Sequence, residues 1–99
     1  MTFVQTISFS SSRFDEMQKL MEEWEAAQPP SSTPGFVSTR VLRDRDNPNA
    51  FMVVAEFDSY EAAMENSNKP ETGAFAARMA ELTDGPPTFG NYDAMSAEE

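Results

Sequence analysis

Phe51-Met52-Val53-Val54-Ala55 is the longest uninterrupted apolar run in the chain, and it constrains the fold more than any other feature. Crossing a bilayer takes about 20 apolar residues, so this run is too short to do it. Over residues 50–57 one parity carries Phe51, Val53, Ala55 and Phe57, and the other Met52, Val54 and Glu56. A segment this apolar on both parities belongs in the middle of a sheet, with strands on either side. The rest of the chain has to be arranged around that central strand.

Three more segments read as strands. Residues 2–9 place Phe3, Ile7 and Phe9 on one parity, interrupted by Gln5, and Val4, Thr6 and Ser8 on the other. Residues 36–43 alternate Val37, Thr39 and Val41 with Phe36, Ser38, Arg40 and Leu42. Residues 88–95 hold Phe89 and Tyr92 as their large side chains. Between the second strand and the central one, Asp44-Arg45-Asp46-Asn47-Pro48-Asn49 is dense in turn formers and predicts a hairpin loop. It is not an EF-hand loop, because Pro48 occupies a ligand position, no Gly stands at the sixth place and no Glu closes the twelfth.

Helical spacing fills the remainder. Phe14, Met17, Leu20, Met21 and Trp24 form one stripe over residues 13–27, with Ser12 and Asp15 as a weakened capping box. Pro29-Pro30 stops this helix, and residues 28–35 read as a loop. Asp58 as N-cap with Glu61 predicts a second helix to about residue 66 or 68. Pro70 interrupts it, and a further piece over residues 71–82 carries Phe75, Ala76, Met79 and Leu82 on one face. The order β-α-β-β-α-β is the ferredoxin-like α+β arrangement, a four-stranded antiparallel sheet with its helices on one face. It occupies one domain over residues 1–95, with 96–99 as a frayed tail.

The other sheet face then carries Val4, Thr6, Val37, Thr39 and Val41, or the opposite set, and parity alone does not choose between them. A sheet apolar on both faces needs cover, and a homodimer packed sheet against sheet supplies it.

Composition removes whole classes of chemistry. With no Cys there is no disulfide, thiolate nucleophile or Cys-based metal site, and with no His there is no Ser-His-Asp triad and no haem histidine. Any chemistry uses carboxylates, Tyr, Arg, Lys, Asn, hydroxyls, backbone or a bound ligand. Lys and Arg total 7 against 17 Asp and Glu, a net charge of −10. Such a chain repels phosphate backbones and anionic lipid, so neither nucleic acid nor membrane is an expected partner. The start of the chain has no basic stretch followed by an apolar one, and a cytoplasmic location is the expectation.

The individual residues that catch attention each have a structural and a functional reading. Glu22, Glu23 and Glu25 lie on the polar side of the first helix and read as a solvated face. Trp24, the single Trp, lies on the apolar stripe, as core or as the wall of a pocket between helix and sheet. Tyr60 starts a helix, Asn66 sits near its break as a C-cap or a polar contact, and Arg78 borders the buried stripe beside Met79. Arg40 is placed to pair with Glu56 across the hairpin.

The segment from Arg40 through Asn47-Pro48-Asn49 to Phe51, followed by Val53-Val54-Ala55-Glu56-Phe57-Asp58-Ser59-Tyr60-Glu61-Ala62-Ala63, resembles the antibiotic biosynthesis monooxygenase-like family. So does the turn Pro34-Gly35-Phe36 that enters the second strand. The resemblance implies a dimeric α+β barrel with a pocket between sheet and helices in each subunit. It implies either cofactor-independent oxidation of polycyclic phenols or, in another branch, haem degradation. Phe57 stands where active members commonly have Trp, and Val53 stands near an Asn of the oxygenating members. Asn66 falls at or near the haem-ligating His of the degrading branch, so haem ligation of that type is excluded. Arg78 lies close to an arginine expected in the phenol-oxidising branch.

Cofactor-free oxygenation has a physical logic. A phenolate substrate donates an electron to O₂, and the protein supplies a dry pocket, orientation and stabilisation of the anion. On this reading Asn66, Arg78 and Tyr60 are the candidate catalytic residues, and Trp24, Phe57, Phe75 and Tyr92 line the pocket for a small aromatic or polyketide-like substrate, with no cofactor and no metal. The competing reading is a non-catalytic dimer of the same fold that binds a small ligand or serves as an accessory.

Overall fold

A computed structural model of the chain describes residues 2–29 and 33–95. The loop read at 28–35 therefore lies partly outside the described residues, and the tail at 96–99 wholly so. The elements run β1 (Phe3–Ser10), α1 (Phe14–Ala27), β2 (Phe36–Arg43), β3 (Ala50–Phe57), α2 (Tyr60–Ser67), α3 (Pro70–Ala80) and β4 (Thr88–Asp93). The sheet is fully antiparallel in the order β2-β3-β1-β4, so the apolar run of β3 is a central strand. The fold is ferredoxin-like α+β, with the second helical segment divided into α2 and α3 at Pro70, which takes the first turn of α3 where its missing N–H costs nothing.

The 44–49 loop closes as its composition demands. Asp44 and Asn47 carboxyl and amide oxygens accept from the N–H groups of Asp46 and Asn49, at 2.7 and 3.1 Å. Gly35 has φ of +81°, and a Cβ there would stand 2.5 Å from the Ala62 Cβ. Its carbonyl accepts from Asp58 N–H at 2.7 Å, which ties the entry of β2 to the exit of β3.

The helix starts differ from their expected caps. The Ser12–Asp15 box does not form. Ser11 is buried instead, and its Oγ accepts from Arg13 N–H at 3.0 Å while donating to the Leu82 carbonyl at 2.7 Å. That arrangement ties the start of α1 to the end of the α3 segment, a long-range contact that local spacing cannot anticipate. At α2 the cap is Ser59, one residue after Asp58, with Oγ accepting from Ala62 N–H at 3.1 Å.

Register settles which side chains face the helices. Phe3 pairs with Phe57, Gln5 with Ala55, Ile7 with Val53 and Phe9 with Phe51, and the buried members of this set identify it as the helix side. In β2 the pairing shifts between Phe36 and Ser38, a bulge at Val37. The bulge puts Phe36, Thr39, Val41 and Arg43 together on the helix side and Ser38, Arg40 and Leu42 on the other. The alternation expected for residues 36–43 is thus broken at its start. Arg40 stands opposite Val54, and Glu56 opposite Ser38, so the expected Arg40–Glu56 cross-strand pair is out of register.

Candidate functional site

The helix-side core consists of two clusters. Phe3, Phe57 and Ala63 form one, with Phe36, Ala55 and Met64 packed against it. Phe9, Met17 and Phe51 form the other, with Phe14, Met21, Val53, Met79 and Leu82 around it. Between them β1 presents Gln5, flanked in register by Ala55 of β3 and Asn91 of β4. Gln5 is half-buried, and its amide has no hydrogen-bond partner among the described residues. Its side-chain N and O are not among the fully enclosed unpaired atoms, so water reaches them, and the amide is a polar group at the border of the two apolar clusters.

The helices bring an aromatic pair to the same level. The Phe14 ring stacks on Phe51 at 4.4 Å and 7°, which anchors the start of α1 over the Phe9 end of the sheet. Ten residues of helix carry the chain back about 15 Å to Trp24, and the four residues from Phe9 to Gln5 span about 13 Å of strand. There Trp24 stacks on Phe75 of α3 at 4.6 Å and 26°, both rings half-buried. The stack joins α1 to α3 one turn beyond Met21 and one turn before Met79.

Of the seven residues singled out from the sequence, Trp24 and Phe75 are in contact. Phe57 is buried in the first cluster, edge-on to Phe36 at 5.7 Å. Tyr60 is exposed, its ring edge-on to Phe3 at 5.3 Å. Asn66 is half-buried in the last turn of α2, and the C-cap of that helix is Asn68. Arg78 is exposed in the last turn of α3. Tyr92 pairs with Val4 and therefore stands on the opposite face of the sheet from Trp24, Phe57 and Phe75. Its ring lies over Gly90, where a Cβ would come within 2.7 Å of Tyr92 Cε2. Gln5 was visible in the sequence only as the polar interruption of an apolar parity.

Two open clefts lie at the other end of the molecule, about 570 and 330 Å³ in volume. Both have Leu42, Arg43 and Phe51 in their walls, and neither includes any of the seven residues. The Arg43 guanidinium lies 5.1 Å from the Phe51 ring centre and 5.7 Å from that of Phe14, covering the aromatic edge there.

The family model for antibiotic biosynthesis monooxygenase matches residues 3–82. The chain belongs to this family. The match runs from β1 through α3 and ends before β4, so Tyr92 lies outside it. SnoaB, a cofactor-independent oxygenase from Streptomyces nogalater, is similar in structure with a TM-score of 0.81 at 20% identity, over 97% of this chain and 95% of that one. Rv0793 from Mycobacterium tuberculosis matches with a TM-score of 0.80 at 14% identity, over 100% of both chains. A candidate antibiotic biosynthesis monooxygenase from Caulobacter crescentus gives 0.82 at 18% identity, over 96% of this chain and 91% of that one. At these identities the likeness establishes the monooxygenase-like fold. No curated protein sequence matches the chain.

Proposed function

We propose that this antibiotic biosynthesis monooxygenase family member is a cofactor-independent oxygenase of a small aromatic or polyketide-like phenol. The substrate enters between sheet and helices, where Trp24 and Phe75 part to admit a planar ring. The observation that supports the reading is the half-buried Gln5 side chain on the helix side of the sheet, a polar group between two apolar clusters that no described residue hydrogen-bonds. SnoaB, similar in fold over nearly the whole chain, is a cofactor-independent oxygenase.

The chemistry needs little from the protein. The bound phenol gives its proton to water, and the Gln5 N–H group stabilises the phenolate oxygen. The phenolate passes one electron to O₂, giving a substrate radical and superoxide. These combine to form a C–O bond at a ring carbon that bears hydrogen, and the peroxide anion takes a proton back from water to become a hydroperoxide. Loss of water breaks the O–O bond and leaves a quinone carbonyl, so one oxygen atom enters the product and the other leaves as water. The apolar surround keeps superoxide from escaping to solvent. Asn66, Arg78 and Tyr60, from α2 and α3, belong to the proposal as the polar residues that contact the substrate.

A second copy of the chain completes the fold on this reading. The face away from the helices carries Leu42, Met52 and Tyr92, exposed at 43%, 37% and 58%. Sheet-to-sheet pairing covers them. Light scattering is expected to return twice 11.0 kDa, and a mass of 11.0 kDa would contradict the dimer.

The activity is tested by O₂ uptake with a panel of polycyclic phenols, 9-anthrol (the enol form of anthrone) among them, under ¹⁸O₂. The expected result is one labelled oxygen per quinone, without accumulation of hydrogen peroxide, and loss of rate in Gln5→Leu. Binding of the panel with no O₂ uptake by any member would replace the oxygenase with the non-catalytic, ligand-binding dimer.

A further inference from the structure

The Thr72 hydroxyl is the buried side-chain oxygen left without a hydrogen-bond partner among the described residues. Buried polar groups in natural proteins are almost always matched, and an exception asks for a reason. A helical Thr can return its hydroxyl to a carbonyl three or four residues back. Here Lys69 O already accepts the N–H groups of Thr72 and Gly73, both at 3.1 Å, and the Thr72 hydroxyl joins neither this turn nor any other described group.

Its position on α3 says what it faces. Thr72, Phe75 and Met79 fall within an arc of about 60°, a single helical stripe. Along that stripe Met79 packs on the Phe9–Met17–Phe51 cluster and Phe75 stacks on Trp24. Thr72 lies about 10 Å before Met79, one turn past Phe75, and so at the level of the gap between the two clusters. Gln5 stands on the helix side of the sheet at that level.

We propose that Thr72 is a positioning residue for the ligand: its hydroxyl donates a hydrogen bond to a carbonyl, hydroxyl or phenolate oxygen carried by an aromatic ring bound beside Trp24 and Phe75. The proposal rests on the ligand site described above and adds to it the group that orients the ring. Thr72 and Gln5 are both neutral donors. The oxygen they hold is recognised by hydrogen bonding, and a phenolate there is stabilised without a cation.

The test compares 1-naphthol with naphthalene, which has the same ring system and no oxygen. Trp24 is the single Trp in the chain, so its indole N–H gives one resonance that reports binding. Thr72→Val keeps the shape and removes the hydroxyl, and Thr72→Ser keeps the hydroxyl. The expected result is that Thr72→Val weakens 1-naphthol about 3- to 10-fold, the worth of one neutral hydrogen bond. Naphthalene binding is unchanged, and Thr72→Ser restores the affinity for 1-naphthol. Thr72→Val is also expected to raise the thermal unfolding midpoint of the free protein by about 4–8 °C, because an unmatched buried hydroxyl is gone. A lower midpoint would show that the hydroxyl has a structural partner, and equal effects on both probes, or no effect on either, would show that it does not read the ligand; each overturns the proposal while leaving the ligand site standing. Failure of both probes to move the Trp24 resonance in the unmodified protein overturns the ligand site, and the role of Thr72 with it.

Discussion

The two longer helices lie on the same sheet face and carry similar apolar stripes, yet they are held differently. α1 buries Met17 completely and Leu20 to 5% exposure, and its Phe14 stacks on Phe51. α3 has no buried residue at all. Its sequence contains four alanines and a glycine, so its stripe has little apolar area to bury beyond Phe75 and Met79. The hydroxyl it does bury, that of Thr72, is unmatched. α1 is therefore part of the core, whereas α3 behaves as a cover, fastened through the Trp24–Phe75 stack and through Ser11 at its far end. Sites that must open are drawn from the less stable elements of a fold, and α3 is the less deeply packed of the two helices.

Four substitutions probe the difference between the two helices. Met17→Ala is expected to cost about 2–5 kcal/mol in denaturant unfolding, the range for emptying a filled core position. Phe75→Ala is expected to cost less than half as much as Met17→Ala while abolishing the Trp24 response to aromatic ligands. Equal costs would put α3 in the core and end the distinction. Ser11→Ala leaves the Leu82 carbonyl and the Arg13 N–H unmatched, and a loss of about 1–3 kcal/mol follows. That loss should appear first as faster exchange of amides at 81–84, because the fastening at the end of α3 has gone. Lys69→Asp has the smallest effect. Lys69 caps α3 with extended backbone and no side-chain hydrogen bond, so an acidic cap should add up to about 1 kcal/mol to stability.

Much of this arrangement is legible in the sequence. β3 announced itself as central because it is apolar on both parities, and the 44–49 turn followed from Asp and Asn side chains that satisfy their own loop. The spacing of Phe14, Met17, Leu20 and Trp24 marked α1, and Pro70 divided the second helical segment. Facing was less legible. One bulge at Val37 reverses the parity of the rest of β2, and a bulge has no sequence signature there. The chemistry of Tyr92 suggests a pocket residue, whereas register turns it to the opposite face. Gln5 looked like an interruption of a strand because only the two clusters on either side give its amide a meaning. Thr72 carried no signal, since whether a hydroxyl is matched depends on the neighbours that tertiary structure brings to it.

The most direct measurement is native-state hydrogen exchange of the α1 and α3 amides, with and without a polycyclic phenol. The account predicts that the amides around Met17 and Leu20 exchange only through global unfolding. Those around Phe75 are expected to exchange through a smaller local opening that the phenol suppresses. Equal protection of the two helices, unaltered by the phenol, would contradict it.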